Sequence, residues 1–119
     1  MANLKRFDIW IADMNPPYGA EPGKIRPVVI VQSDLLHRFD YPATIVCPIS
    51  SQQQGVSKIR IPVKSTSING LKKDSSVIVD QITAVDLGRL RERIGYLEHE
   101  YRRQICESIF EILDLANPD

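Results

Sequence analysis

The chain has 119 residues, enough for one compact domain and too few for two. Its 43% hydrophobic and 25% charged residues fit an ordinary soluble globular protein, and no run approaches the roughly 18 apolar residues of a membrane span. Net charge is zero, which does not by itself announce a nucleic-acid binder.

Taken in chain order, residues 6–14 place Phe7, Ile9 and Ile11 on one parity with Asp8 opposite, a strand pattern that Trp10 interrupts. Residues 15–24 hold three prolines and two glycines, which forbids regular structure and predicts a ten-residue exposed loop. Loops of that length in small domains are often functional. Residues 26–33 are a β-branched run, apolar on both parities over Val28–Val31, as in a strand covered on both faces. Residues 43–50 form another, with Pro48 suggesting an edge or a bulge near its end. Residues 58–63 are shorter, with Ile59, Ile61 and Val63 on one parity. After a turn over 69–74, residues 76–82 read as a fifth strand, 84–90 as about one helical turn and 93–97 as a last short strand. From 98 to 116 the period changes: Tyr101, Ile105, Ile109, Ile112, Leu113 and Ala116 fall at helical spacing. Glu98 and Glu100 suit the first turn of such a helix, and Asn117-Pro118 ends it after about 28 Å. Its apolar stripe is expected on the core rather than on a partner. The whole reads as one α+β domain over 1–119: a small curled antiparallel barrel with a long C-terminal helix.

Charge and cysteines add little. Residues 1–64 hold eight Lys/Arg against five acids and residues 65–119 seven against ten, so the halves carry +3 and −3. An anionic ligand is expected to meet the first half. Cys47 and Cys106 lie far apart, with no CxxC and no histidine at ligand spacing, which predicts reduced thiols in a cytoplasmic protein and no metal site. The chain meets charge at Lys5 before any apolar stretch, so no signal peptide is expected.

If the strands form an antiparallel meander, the 15–24 loop, Arg26, Ser50-Ser51-Gln52 and Asp80-Gln81 converge on one rim. Asp80 and Gln81, adjacent in a strand, point to opposite faces, so at most one of them faces a given site. An arginine, a hydroxyl, an amide and an acid suit a phosphodiester. Guanidinium forks onto phosphate oxygens and stabilises charge growing in a pentacovalent transition state. RNA supplies its own nucleophile, the 2′-hydroxyl, and such a site needs no metal-activated water. Each residue also has a plain reading. Arg26 could be a surface ion-pair partner, Ser50 to Gly55 a solvated loop, Glu21 a solvated acid and Asp80 a turn cap. His37, in the far-rim loop, and His99, in the first turn of the helix, are expected to be structural or solvated.

At this point the residues resemble a known family. Asp8-Ile9-Trp10, Asn15-Pro16, Gly19-Ala20-Glu21 and Ile25-Arg26-Pro27-Val28-Val29-Ile30 are similar to the opening of MazF/PemK toxins. So are Val46-Cys47-Pro48-Ile49-Ser50-Ser51-Gln52 and Ser76-Val77-Ile78-Val79-Asp80-Gln81-Ile82, in matching order over nearly the whole chain. The resemblance implies an SH3-like barrel, a homodimer and sequence-specific cleavage of single-stranded RNA without a cofactor, leaving a 2′,3′-cyclic phosphate and a 5′-hydroxyl. It also implies an antitoxin whose acidic tail fills the same groove. Arg26 then matches the phosphate stabiliser and candidate proton donor, and Ser50 stands where many members carry threonine. Tyr18, Glu21, Lys24, Ser51, Gln52, Asp80 and Gln81 match positions near the RNA, with Tyr18 and Lys24 in the loop expected to close over it. Tyr18 could stack on a base, a contact worth about 1–3 kcal/mol. Some members carry a histidine before the loop glutamate and an arginine two residues before the acid. Here these are Ala20 and Ile78, so chemistry would rest on Arg26 and Ser50. Two other readings stay open: a gyrase-poisoning toxin of the related barrel family, whose Trp-Gly-Ile tail is replaced here by Ala116-Asn117-Pro118-Asp119, and a non-catalytic nucleic-acid-binding barrel.

Overall fold

A computed structural model describes residues 3–15, 24–52 and 59–119. In chain order these form β1 (Asp8–Asp13), β2 (Ile25–Ile30), the single turn α1 (Asp34–His37), β3 (Ala43–Ser50), β4 (Arg60–Val63) and β5 (Ser75–Ile78). A 3-10 turn (Val79–Gln81), β6 (Thr83–Asp86), a second 3-10 turn (Leu87–Arg89), β7 (Leu90–Tyr96) and α2 (His99–Ile112) follow. The sheet is antiparallel, in the order β4-β5-β3-β2-β1-β7, with β6 paired to β3 off this path. The α+β expectation, strands first and a helix last, holds. The barrel does not close: among the described residues the end strands β4 and β7 do not pair, so the sheet is open. No helix among these residues is long and apolar enough to cross a membrane.

The meander expected from chain order holds only through β3. Its next neighbour is β5, with Ile49 opposite Val77 and Ser50 opposite Ser76, and β4 lies outside β5. β3 has eight residues, enough to serve two partners on that side: Ala43 to Val46 face β6, and Ile49 to Ser50 face β5. Pro48, which has no N–H to give a ladder, sits at this change of partner rather than on a sheet edge.

Two further segments differ from their patterns. Residues 84–90 hold a strand and a 3-10 turn instead of one helical turn. Only Val85 is buried within β6, too little to print a strand period, and the pairing with β3 decides the conformation. β7 starts at Leu90 because it pairs with β1, while the exposed Arg91, Glu92 and Arg93 hide its alternation.

Alternation along the strands builds two apolar clusters. Ile9, Val29, Cys47, Ile49, Ile61, Val77 and Val79 form the main core under α2, whose buried Ile105 and packed Tyr101, Ile109 and Ile112 lie on it. Trp10, Ala12, Val28, Ile30, Val46 and Val85 form the second cluster. The helix therefore packs on the core as its stripe predicts, but it ends at Ile112, short of 116. Asp114 takes a left-handed φ of 51°. The Asp114 and Leu115 amides then turn back to the Glu111 and Phe110 carbonyls at 3.1 Å each, a Schellman stop. Asp in place of the usual glycine hides that stop in the sequence.

Candidate functional site

The strand registers place one groove. Glu92 of β7 lies opposite Ile11 of β1, and Ile11 opposite Pro27 of β2. Carrying the β2–β3 register one residue beyond Val28↔Pro48 sets Pro27 against Ile49, and two residues sets Arg26 against Ser50. The parity that sends Ile9, Val29 and Cys47 into the core thus sends Ile11, Pro27 and Ile49 toward a cavity of about 870 Å³, which all three line. Its rim carries Lys24, Arg26, Ser50, Ser51, Gln52 and Gln81. Antiparallel neighbours explain the first part of this convergence: β2 begins where β3 ends. Gln81 arrives by another route than the meander, because β5 runs away from Ser50 and Gln81 lines the groove from the 3-10 turn that follows it.

Asp80 and Gln81 are not in a strand. They share a 3-10 turn, where successive side chains fan out around an axis instead of alternating. Gln81 lines the groove; Asp80 is exposed and does not. Tyr18 and Glu21 lie outside the described residues. The stem of their loop is inside them. The Lys24 amide, at φ 69°, donates to Asn15 Oδ1 at 2.6 Å, and the Met14 amide donates to the Lys24 carbonyl at 2.9 Å. Arg89 donates to the Asp13 and Asn15 carbonyls at 3.0 and 2.6 Å, and Arg91 pairs with the Asp13 carboxylate at 3.1 Å. The stem that carries Lys24 toward Arg26 is therefore pinned to the β6–β7 connection and β7.

Electrostatics favour an anion. Arg26 is half-buried, and desolvation lowers its pKa from the usual guanidinium value, although the group stays charged at neutral pH. Partial burial strengthens its field toward a bound phosphate. The Ser50 hydroxyl oxygen accepts the Gln52 amide at 3.1 Å, which orients the oxygen and leaves the hydroxyl hydrogen to be donated. The groove also holds Arg60, Lys72 and Lys73, so five cationic side chains face one carboxylate, Glu92. Those three cations and Glu92 are missed by reading strand ends alone. The Lys72-Lys73 pair in a Gly-containing turn was the available signal, but the charge split by halves pointed away from it. Arg60 is the cross-strand partner of Ile78, so a guanidinium stands beside the position where some MazF/PemK-like sequences have arginine.

The histidines lie elsewhere. His37 has an 8% exposed side chain whose ring bridges Asp34 Oδ1 at 3.1 Å and Thr44 Oγ1 at 2.9 Å, tying α1 to β3. His99 is exposed at the start of α2. Burial, with the Asp80 charge, pushes the Cys47 thiol up to about 12, so it is an inert core group. Cys106 is half-buried and accepts from the Arg6 guanidinium at 3.3 Å.

An open antiparallel sheet closed by one helix, with a cation-lined groove where β2 begins and β3 ends, defines an α+β protein with a basic cleft at one rim. Residues 5–113 match the family described as PemK-like, MazF-like toxin of type II toxin–antitoxin systems, and the chain belongs to that family. It is 32% identical over 109 residues to endoribonuclease EndoA of Bacillus subtilis, covering 89% of this chain and 90% of that one. It is 34% identical over 109 residues to endoribonuclease MazF of Staphylococcus saprophyticus, covering 89% and 88%. The solved structure of the Mycobacterium tuberculosis toxin MazF-mt6 superposes with a TM-score of 0.73 at 26% identity, covering 90% of this chain and 96% of that one.

Proposed function

We propose that this protein is an endoribonuclease toxin, one catalytic domain that cuts single-stranded mRNA in the cytoplasm at a preferred sequence without a metal ion. The observation that carries the reading is that half-buried Arg26 and Ser50 line one cation-rich groove. Membership of the toxin family and the names of the two curated relatives support the same activity.

In this reading the scissile phosphate sits between the two side chains. The substrate's 2′-oxygen bonds to phosphorus while the bond to the 5′-oxygen breaks. The proton released by the 2′-hydroxyl balances the one taken up by the leaving oxygen, so the step consumes no water. Products are a 2′,3′-cyclic phosphate and a 5′-hydroxyl. Arg26 neutralises the charge that grows on the non-bridging oxygens, and Ser50 donates its free hydroxyl hydrogen to one of them. Lys24, Ser51, Gln52 and Gln81 contact flanking nucleotides, and Tyr18 and Glu21 are assigned RNA contacts on the family resemblance alone. The family's systems pair toxin with antitoxin, and a groove this cationic suits an acidic antitoxin tail that blocks RNA. The active unit is a homodimer.

The purified protein should cut RNA oligomers in EDTA, leaving cyclic-phosphate ends. Arg26→Ala should slow cleavage by about 10²–10³ or more, as for loss of a preorganised donor to a transition-state oxyanion. Wild-type rates in that variant would sink the assignment.

A further inference from the structure

We infer that the Lys72–Lys73 turn is a second phosphate-binding subsite, which holds a nucleotide of the substrate strand away from the cleaved bond. The inference rests on the ribonuclease reading above and extends it to a segment that reading leaves without a role. Arg26 and Ser50 account for one phosphate. Lys72 and Lys73 line the same groove from the β4–β5 connection, which packs against β7. Both are exposed, and among the described residues no hydrogen bond or ion pair engages either ammonium. A single strand carries one charge per nucleotide, and a chain that enters at Arg26 meets Lys72 and Lys73 as it crosses the groove.

What separates this turn from ordinary surface lysines is the bracket beneath it. Asn69 is fully buried and all of its amide is used. Its Oδ1 accepts from the Thr66 and Leu71 amides at 3.1 and 3.0 Å, and its Nδ2 donates to the Lys64 carbonyl at 2.8 Å and to Glu98 Oε1 at 3.0 Å. The Thr66 hydroxyl donates to the other Glu98 oxygen at 2.6 Å, so the first residue before α2 anchors the loop twice. Gly70, at φ 71°, lies so close to β7 that a Cβ there would fall 2.2 Å from the Ile94 carbonyl oxygen. On the far side, Asp74 accepts from the Ser65 amide at 2.8 Å and the Ser75 hydroxyl donates to the Lys73 carbonyl at 2.8 Å. The backbone on either side of the two lysines is thus fixed, and the charges are delivered to the groove in advance.

An acidic peptide is the competing occupant. RNA is favoured because the lysines flank the Arg26–Ser50 pair in one continuous groove, whose chemistry suits a phosphodiester.

The test is binding of a random-sequence 2′-O-methyl RNA 12-mer, which lacks the attacking hydroxyl, titrated across a salt series. Each phosphate contact removed should lower the slope of log affinity against log salt by about 0.7, so the Lys72→Ala/Lys73→Ala double variant, which removes the one contact of this subsite, should lose about 0.7. The Lys72→Arg/Lys73→Arg variant should keep the wild-type slope. Arg103→Ala, which removes a charge from the exposed face of α2, serves as the control and should leave it unchanged. In cleavage of ordinary RNA the double alanine variant should raise KM more than it lowers kcat. A slope equal to that of the Arg103 control overturns the proposal. So does a loss confined to binding of a poly-glutamate peptide, which would assign the turn to an acidic partner. A wild-type protein that binds the 12-mer but never cuts ordinary RNA would instead count against the ribonuclease reading, and the slopes would still judge the subsite.

Discussion

At the residue scale, Ser50 is the sharpest case. Its oxygen is held by the Gln52 amide, its hydrogen is available, and strand register sets it against Arg26. Ser50→Ala should therefore slow single-turnover cleavage of a labelled RNA by about 10²–10³ while leaving affinity for the 2′-O-methyl 12-mer close to wild type. Ser50→Thr keeps the hydroxyl at a half-buried position and should retain activity within a few-fold. Equal losses in both variants would mean that the hydroxyl is not the active feature. Arg26 and Ser50 were legible from chain order, because antiparallel neighbours bring the start of one strand beside the end of the next. That at most one of Asp80 and Gln81 faces the groove was legible too, but which one was not, because alternation holds in a strand and fails in a 3-10 turn.

At the element scale, β3 is the part most fully written in the sequence: its bounds, Ala43–Ser50, are those its β-branched run predicts. The connection from β4 to β5 is the part least so. It has no period, and its shape comes from Asn69, Thr66 and Glu98, which are 29 to 32 residues apart across the Glu98 contacts. Asn69→Ala would leave the Leu71 and Thr66 amides without their acceptor inside the fold. Its expected cost is about 1–3 kcal/mol, read as a lower urea midpoint at unchanged slope. An unchanged midpoint would show that the bracket is not what holds the turn.

At the scale of the whole molecule, three carboxylates join distant segments, and their lowered values predict a loss of stability in acid. The Asn15 amide, helped by Arg91, holds Asp13 below the ordinary aspartate value of 3.8. Burial pushes Asp34 up, but the Arg6 amide and His37 outweigh it and leave that carboxyl lowered as well. Burial likewise opposes, and the Thr66 hydroxyl, the residue's own amide and Asn69 overcome, at Glu98, which sits below its ordinary 4.5. Lowered folded values mean that this stabilisation is present above about 4–5 and is lost as pH falls through the folded values. Urea midpoints should hold from pH 7 to 5 and fall between 4 and 2. Asp34→Asn should flatten part of that fall, and an identical acid profile in the variant would exclude Asp34 from the linkage.

The sequence alone determined the class of fold, the core-facing parity of most strands, the helix stripe and the convergence of Arg26 and Ser50 on one rim. These follow from local period and from pairing between consecutive strands. Only the tertiary structure decided that β5 rather than β4 lies beside β3, that the sheet stays open, and that Gln81 rather than Asp80 reaches the groove. It alone brought Arg60, Lys72 and Lys73 into one groove with Arg26. The physical reason is that a period of two fixes which face a side chain takes but not which strand lies next to it. Neighbour choice rests on buried contacts between residues far apart in the chain, and those leave no local pattern to read.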